Sequence, residues 1–327
     1  HAMIALNNGS NVLCEKPIVP TLQDAQELHE TAIKCGKMLA IGFQWSFSEV
    51  MTKIKEDMAK GDFGKPLEFS TMVSWCRARD YYQKGWTGQV KSAKDGQWLL
   101  DSIVSNATAH YLHNMLFLLG DKPDSAMEIA QCDAAIYRAN SIESFDTCFL
   151  RGKTENGAGI SYCVAHPTYV NREPKLRYRF ENADITMNVE DETSIVRAYF
   201  KDGTVREYGN PQTDADKAFK LTKTIAAING EGEIPCNALT CIPHLRVSNA
   251  LFDMVDIIDY PKEFVHVDED RNLIYVDGVY EALLECFEHF KLPSELGANF
   301  AKEETYMDLR GYNSFSGERL EKAREEK

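Results

Sequence analysis

The sequence predicts an α/β segment followed by a larger, mostly antiparallel α+β domain. The first 44 residues alternate between helix and strand patterns, which is typical of a parallel sheet covered by helices. From about residue 127 onward, short strand patterns follow one another directly, and consecutive strands of this kind favour an antiparallel sheet. A chain of 327 residues is long enough for two such domains.

The α/β segment has a clear helix between two short strands. An apolar strand is predicted at residues 11–14 and a second one at residues 38–43. Between them, Thr21 and Asp24 fit a capping box at the start of a helix, and Gly36 fits its C-terminal end. Because so small a sheet would leave its apolar faces bare, we expect this segment to be only the closing part of an α/β domain.

The α+β domain is predicted from strand patterns and three later helices. Asp202-Gly203 between two strand patterns is a strong signal for a β-hairpin. We expect the helices to cover one face of the sheet and to leave the other face apolar. These three helices are predicted at 214–229, 238–255 and 278–290, and a further helix at 49–60 precedes the sheet. The predicted strands are 127–138, 145–151, 160–166, 176–181 and 195–200.

The composition excludes several classes of protein. With 50 acidic and 36 basic residues, the net charge of −14 should repel nucleic acids. No apolar run approaches the ~18–20 residues that a membrane helix needs, and no signal-peptide pattern is visible. The nine cysteines are scattered and form no CxxC pair, as is usual for reduced, buried thiols. We therefore expect a cytoplasmic protein without nucleic-acid or membrane partners.

The N-terminus begins within a helix pattern. The chain opens with His1, and residues 3–6 already have helical spacing. We expect either that residues are missing upstream or that His1 and Ala2 are an addition before a start at Met3.

The apolar run at residues 12–14 ends in Glu15, Lys16 and Pro17. Ligands of open parallel sheets bind beyond the carboxyl ends of the strands, which is where Lys16 is expected. Burial beside a cofactor would lower the pKa of this lysine. The alternative is a solvent-exposed pair of Glu15 and Lys16, and the tripeptide alone favours that alternative.

A second candidate region is the helix predicted from about Ser105 to Gly120. Asn106, His110 and His113 share one side of this otherwise apolar helix. Buried polar groups need partners, so these residues are satisfied core residues, pocket residues or metal ligands. The spacing of the two histidines would allow them to share a metal ion, but the sequence shows no obvious third ligand, neither a carboxylate nor a cysteine, beside them. We therefore predict no metal.

Taken together, these segments resemble the Gfo/Idh/MocA family, which includes glucose–fructose oxidoreductase and inositol dehydrogenase. The resemblance extends from about residue 3 to about residue 255. It rests on the helix whose His110 precedes Gly120 by ten residues, and on three spaced motifs, which are ALNNGSNVLCEKPI, AIGFQWSF and GDFGKPLEF. It implies that residues 1–44 are the C-terminal part of a Rossmann-like dinucleotide-binding domain. Residues 45–327 would then form a substrate-binding and oligomerisation domain.

The resemblance also implies roles for individual residues. Lys16 would lie near the nicotinamide and the substrate, and the Lys16-Pro17 peptide is often cis in this family. His110 would act as the acid/base on a substrate hydroxyl, with Asn106 orienting either His110 or the sugar. Glu15, Lys16, Pro17 and Gln44 would contact the cofactor, which is NAD or NADP.

The sequence departs from the family pattern in three places. An aspartate usually stands at the position of Asn106, so we expect His110 to be a weaker base; the next acid upstream is Asp101. Ser46 occupies a position where arginine is common. The Gly-x-Gly-x-x-Gly phosphate loop is absent, and GEGEIP at residues 230–235 lacks the strand–turn–helix context to replace it. The missing unit would require roughly 70–90 residues upstream.

Several further residues are candidates for a sugar pocket, because mixed aromatic and polar side chains suit the CH faces and hydroxyl edges of sugars. Each alone is more typical of core or surface, with His166 and His244 ranking slightly higher. The candidates are Trp75, Arg77, Trp98, Asp101, His113, His166, Tyr169, His244 and Asn249.

The leading hypothesis is an NAD(P)-dependent oxidoreductase acting on a hydroxyl of a sugar, polyol or glycoside. One alternative is a redox-neutral enzyme that cleaves or epimerises glycosides through a keto-sugar, using bound NAD. Another is a non-catalytic binding subunit, which the missing glycines and Asn106 favour but Lys16 and His110 oppose. A homo-oligomer through the uncovered face of the antiparallel sheet is expected from the family and would cover exposed apolar surface.

Overall fold

The computed structural model describes residues 1–325. Its helices are α1 (Ala2–Asn7), α2 (Leu22–Cys35), α3 (Gln44–Phe47), α4 (Glu49–Ala59), α5 (Ala109–Leu119), α6 (Asp214–Ile228), α7 (Ala238–Met254), α8 (Val279–His289) and α9 (Glu318–Glu325). Its strands are β1 (Val12–Cys14), β2 (Leu39–Ile41), β3 (Pro66–Ser74), β4 (Ile129–Arg138), β5 (Thr147–Thr154), β6 (Gly159–Ala165), β7 (Arg172–Phe180), β8 (Ala183–Met187), β9 (Val196–Phe200), β10 (Val205–Gly209), β11 (Ile257–Asp259), β12 (Val265–Asp268), β13 (Leu273–Val276) and β14 (Thr305–Asp308). Short 3₁₀ turns occupy Arg79–Gln83 and Lys262–Phe264, and Ile103–Ala107 form a π turn.

The N-terminal segment has the predicted α/β arrangement. Strands β1 and β2 pair in parallel as a two-stranded sheet. Helix α2 begins where the Thr21 hydroxyl accepts a hydrogen bond from the Asp24 amide, and it ends at Gly36 in the left-handed conformation. The predicted helix boundaries are thereby confirmed, because both caps are local features of the sequence.

The larger domain is built on one mostly antiparallel sheet of ten strands. The order is β10-β9-β8-β7-β3-β6-β5-β4-β11, with β14 also paired to β4. Within it β3 pairs with β6 in parallel and with β7 antiparallel. Asp202 and Gly203 lie in the turn between β9 and β10, so the predicted hairpin is confirmed.

Helices cover both faces of this sheet, so the prediction of helices on one face is wrong. Alternate residues of a strand point to opposite faces. Accordingly, Val73 of β3 packs in the core formed with α5 and α7, whereas the neighbouring Met72 packs with Leu283 and Phe287 of α8. The amphipathic pattern of α8 predicts burial but does not specify which face it covers.

Because α8 covers the face that was expected to be free, one reason for expecting a homo-oligomer through the sheet is removed. The oligomeric state itself stays a prediction.

The domain boundary predicted between residues 44 and 45 crosses a shared core. A cluster of buried apolar residues from α1, β2 and α2 also contains Phe47, Ala109 and Leu245. The N-terminal segment is therefore packed against α5 and α7, which fixes the end of β1 relative to α5. No helix within residues 1–325 is long and apolar enough to cross a membrane.

The first core-packing prediction concerns α8. Leu283 is fully buried against the sheet, so Leu283→Ala should lower the free energy of unfolding by about 2–5 kcal/mol. Leu221 of α6 is 53% exposed and offers the same substitution as a control, with an expected change within about 0.5 kcal/mol. Urea unfolding of both variants measures the difference. Equal effects would contradict the packing of α8 on the second face.

Candidate functional site

The candidate site lies where the carboxyl end of β1 meets the start of α5. Lys16 and Pro17 follow β1 directly and are joined by a cis peptide bond. The Lys16 side chain crosses to the π turn, where its Nζ donates to the backbone oxygen of Asn106 at 2.5 Å and to Asn106 Oδ1 at 3.1 Å. Lys16 is therefore not half of an isolated surface pair with Glu15.

Asn106 links Lys16 to Asp101. Its Nδ2 donates to Asp101 Oδ1 at 2.9 Å, and the other carboxylate oxygen accepts a hydrogen bond of 2.5 Å from the Gly88 amide. An acidic side chain thus does reach this site, through Asn106. The expectation that Asn106 orients His110 finds no support, because the recorded side-chain contacts of Asn106 are with Lys16 and Asp101.

Burial shifts both charged groups toward their neutral forms. Desolvation lowers the pKa of Lys16, and the charges of Asp101 and Glu15 oppose this shift. Desolvation likewise raises the pKa of Asp101 to about 6, against the hydrogen bonds from Gly88 and Asn106 and the charge of Lys16. The site consequently contains a cation and a carboxylate that are both incompletely solvated and that stabilise each other across a neutral amide.

The π turn positions these groups. It starts at Ser102, whose hydroxyl accepts a hydrogen bond from the Ser105 amide. It includes the five-residue hydrogen bond from the Thr108 amide to the Ile103 oxygen, 3.0 Å. Carbonyl oxygens of this turn accept side-chain donors from outside the helix, namely Lys16 on Asn106 and His244 Nε2 on Val104 at 3.1 Å. Insertions of this kind are common at functional sites.

His110 lies in the first turn of α5 with its ring partly exposed. Its Nδ1 is buried and has no hydrogen-bond partner within residues 1–325, and its ring contacts Phe43 edge-on at 5.7 Å. Burial lowers the pKa of His110 to about 3, with further lowering by the charges of Lys16, Lys220 and His244. The ring is thus neutral at neutral pH. His110 is thus a weaker base, as the sequence predicts, but the main cause is burial of the ring and not the presence of Asn106.

His113 does not face the same space as His110. It is 1% exposed, and its ring stacks on Phe43 at 3.9 Å between centroids. Its Nε2 lies 3.0 Å from Ser46 Oγ and 3.7 Å from Cys236 Sγ. Direct contact with a substrate, as predicted for His113, is therefore inconsistent with this packing.

The other two predicted histidines are buried with defined partners. His244 is 4% exposed and donates to the π turn, and burial lowers its pKa to about 4. His166 follows β6 and is 2% exposed, with its Nδ1 at 2.8 Å from the Trp75 oxygen. Each histidine therefore contacts a backbone oxygen, that of Val104 for His244 and that of Trp75 for His166.

The two predicted tryptophans occupy different places. Trp75 follows β3 and packs edge-on against Tyr111, the neighbour of His110 in α5, at 5.6 Å between ring centroids. Trp98 packs against Phe315 at 5.1 Å and lies under Lys91. Among the contacts within residues 1–325, none joins Trp98 to the Lys16–Asn106–Asp101 group.

Helix α6 contributes residues that the sequence did not point to. Lys220 forms an ion pair with the exposed Glu15, across 205 positions of sequence, and its charge lowers the pKa values of both Lys16 and His110. No local pattern could have revealed this contact. Phe43, which touches three histidine rings, lies within one of the motifs noted in the sequence.

The residues present fit the nicotinamide end of a dinucleotide better than its phosphates. Lys16 and Gln44 lie at the carboxyl ends of adjacent parallel strands, and the buried, unpaired Nδ1 of His110 marks an incompletely satisfied polar site beside them. Within residues 1–325, no glycine-rich turn connects a strand to a helix in the way that a pyrophosphate cradle requires. In the same range, no group of three or more His, Cys, Asp or Glu side chains is arranged to hold a metal ion.

Comparison with known proteins supports the resemblance noted in the sequence. Residues 1–43 match the Gfo/Idh/MocA oxidoreductase family with an NAD-binding Rossmann fold. A 1-carboxy-3-chloro-3,4-dihydroxycyclohexa-1,5-diene dehydrogenase of Comamonas testosteroni is 40% identical over 65 residues, which are 20% of this chain and 16% of that protein. A 1,5-anhydro-D-fructose reductase of Ensifer adhaerens is 26% identical over 128 residues, 39% of this chain and 36% of that protein.

Solved structures extend the likeness to most of the chain. Levoglucosan dehydrogenase in complex with NADH and levoglucosan superposes with a TM-score of 0.61 and 14% identity, covering 77% of this chain and 73% of that one. At this identity the match establishes the fold. The match to the oxidoreductase family is confined to residues 1–43, and the predicted fold class is confirmed except for the placement of the helices on one face of the large sheet.

The pKa of Asp101 makes a pH-dependent prediction. Because its pKa in the folded protein is raised above the usual 3.8 to about 6, its contribution to stability is complete below pH 3.8 and is lost as the pH rises through about 6. Relative to Asp101→Asn, the wild type should lose about 3 kcal/mol of unfolding free energy between pH 4 and pH 7. Denaturant titrations at several pH values measure this.

Burial also raises the pKa of Asp146 to about 6. Because both proteins contain this and the other buried acids, their contributions to the pH dependence cancel in the comparison. A hydrogen bond lost in the variant would shift its curve by a constant. Parallel pH profiles for the two proteins would therefore contradict the buried, destabilised carboxylate.

Proposed function

We propose that this protein is an NAD(P)-dependent oxidoreductase that acts on a hydroxyl of a sugar, polyol or glycoside. One observation carries the proposal: the ammonium of Lys16, at the carboxyl end of a parallel strand, is held on Asn106 just before α5, near enough for its charge to lower the pKa of His110 in the first turn of that helix. A fixed cation near an acid/base group assists the removal of a hydroxyl proton.

Lys16 supplies the positive charge. Its Nζ bonds to neutral oxygens of Asn106, while the carboxylate of Asp101 lies one residue further away in the hydrogen-bond chain. A charge that is oriented but not cancelled by direct contact can donate to a substrate oxygen on which negative charge develops. Asn106 and Asp101 are positioning residues for this ammonium.

His110 supplies the acid/base group. Its Nδ1 is buried, so Nε2 is the ring nitrogen that a substrate hydroxyl can reach and to which the proton moves. In the free protein, burial and Lys16 favour the neutral ring. A developing alkoxide beside the ring favours the protonated form and so raises the pKa of His110 when it is needed.

A bound nicotinamide cofactor would accept the hydride from the carbon that carries the reacting hydroxyl. Glu15, Lys16, Pro17 and Gln44 are the residues of this chain that we assign to its nicotinamide end, with residues 1–44 as part of the cofactor domain. The matching relatives are oxidoreductases by name, but the matched segments span 16% and 36% of their lengths. The choice between NAD and NADP is left to the assay.

The substrate class is supported by names among the similar proteins. One relative is a reductase of 1,5-anhydro-D-fructose, and a protein of the same fold binds levoglucosan together with NADH. Three of the aromatic and polar candidates have contacts compatible with this class: Trp75 packs on Tyr111 of α5, His166 contacts the Trp75 oxygen and His244 contacts the π turn. We extend the carbohydrate class to this chain on that basis.

An assay with NAD⁺ and NADP⁺ and a panel of sugars, polyols and glycosides tests the proposal. We expect His110→Gln to lower kcat by ~10²–10⁴-fold, because general base catalysis is lost. Lys16→Met should lower kcat/KM by a similar factor, because charge stabilisation in the transition state is lost. Lys34→Met on the exposed side of α2 and His289→Gln at the end of α8 serve as controls and should retain activity.

The outcomes separate the alternatives. Net production of reduced nicotinamide that both variants lose supports the dehydrogenase. Conversion of glycosides without net reduction would instead indicate the redox-neutral enzyme. Full activity in both variants would exclude the assigned roles of Lys16 and His110 and would favour a binding subunit.

A further inference from the structure

Arg77 forms no ion pair with a carboxylate of residues 1–325. Within residues 1–325, every arginine except Arg77 and Arg271 forms an ion pair with an acidic side chain. Arg271 is exposed and donates to the backbone oxygen of Tyr169 at 3.1 Å. Arg77 is partly buried, and its Nε is buried without a hydrogen-bond partner in the described chain. An unpaired, buried N–H of a charged group is costly and needs an explanation.

Aromatic rings hold this guanidinium in place. The Arg77 Cζ lies 5.4 Å from the centre of the Trp75 ring and 5.2 Å from that of Tyr81. A planar guanidinium stacks well on aromatic faces, and such stacking restricts its conformations before any ligand arrives. Arg77 is thus preorganised in a way that a freely moving surface arginine is not.

The position of Arg77 connects it to the proposed active site. Trp75 follows β3 and His166 follows the parallel strand β6, so both lie at the same edge of the sheet. Trp75 contacts Tyr111, which adjoins His110 in α5. Burial raises the pKa of Tyr81 and the charge of Asp101 raises it further, whereas the charge of Arg77 and a side-chain hydrogen bond with Arg77 lower it, so Tyr81 is within reach of both.

His166 does not provide a competing charge. Burial, reinforced by the charge of Arg77, lowers the pKa of His166 to about 3, so its ring is neutral near pH 7. The region beside Trp75 therefore has one fixed positive charge, an unpaired N–H and no carboxylate in direct contact within residues 1–325.

We propose that Arg77 binds an anionic group of the substrate, either the carboxylate of a sugar acid or the phosphate of a sugar ester. The inference rests on the proposed function and specifies the substrate class of that same site. The fork of guanidinium N–H groups matches both anions, which accept two parallel hydrogen bonds. A neutral sugar would leave the charge and the buried N–H of Arg77 uncompensated.

Calorimetric titration of the 327-residue chain with D-glucose, D-glucuronate and glucose 6-phosphate tests the inference. We expect wild type to bind one of the two anionic sugars at least ~10-fold more tightly than glucose, as for a hydrogen bond to a charged group. Arg77→Gln should abolish this preference, and Arg77→Lys, which keeps the charge but not the fork, should keep only part of it. The preferred anion identifies carboxylate or phosphate.

Arg79→Gln is the matched control, because Arg79 lies two positions away and is already paired with Glu269. It should retain the wild-type preference. Thermal unfolding checks that the variants fold, and if Arg77→Gln does not fold, the test is made with Arg77→Lys. The inference is overturned if wild type shows no preference for an anion, if no probe binds, or if the preference survives Arg77→Gln.

The proposed function is judged separately. Reduction of NAD(P)⁺ with neutral sugars, without any anion preference, would overturn this inference alone. Anion binding that depends on Arg77, without hydride transfer to either nicotinamide from any substrate, would support the anion site and contradict the proposed function.

Discussion

The contact between Lys16 and Asn106 is the interaction on which the arrangement of the candidate site depends. It joins the end of a parallel strand to a π turn across ninety positions of sequence. Because the donor binds both the backbone oxygen and the side-chain oxygen of Asn106, the position of the ammonium is fixed relative to α5. His110 follows in the first turn of α5, so the strand, the π turn and this helix together determine the relative positions of the ammonium and the imidazole.

The π turn makes this arrangement possible because its backbone oxygens find partners outside the turn. The oxygens of Asn106 and Val104 accept hydrogen bonds from Lys16 and His244, and the Ile103 oxygen accepts one from the Thr108 hydroxyl at 2.6 Å. Buried charges are tolerated only when they are paired or solvated by fixed dipoles. The neutral amide of Asn106 provides such dipoles to Lys16 and Asp101 at once, so neither charge is cancelled by direct contact.

A consequence is a weakly basic histidine near a lysine whose ammonium contacts the neutral oxygens of Asn106. Lys16 and Lys220 both lower the pKa of His110, after burial. The ammonium of Lys16 can stabilise negative charge that develops on a nearby oxygen, which is consistent with the proposed alkoxide. Arg77, which pairs with no carboxylate within residues 1–325, adds a second positive charge beside Trp75.

Much of the secondary structure follows from local sequence, whereas the site follows from contacts that the sequence does not display. Helical patterns predict α2 and α7, the capping residues also mark the ends of α2, and Asp202-Gly203 predicts the hairpin after β9, because each signal lies within its own element. Periodicity could not show the π turn, which changes the register between Asn106 and α5. Nor could it separate His110 from His113, since helix α5 is buried on nearly all sides and only packing decides which ring remains accessible.

The placement of helices on both faces of the sheet likewise depends on contacts that the sequence does not display. An apolar stripe on α8 predicts burial, but the choice of face depends on the path of the chain after β13. In the same way, Asp101 was recognised as a nearby acid, but its link to Lys16 depends on the orientation of the Asn106 side chain. These are three-dimensional relations between residues whose individual types were already noted.

Titration with NADH and NADPH, followed by nicotinamide fluorescence, tests the central claim most directly. The claim is that Lys16 lies in a nicotinamide site, so wild type should bind at least one of the two saturably and Lys16→Met should bind it more weakly. The Lys34→Met control should match wild type, since Lys34 is exposed on α2. Equal affinity of wild type and Lys16→Met for the nucleotide would contradict the account.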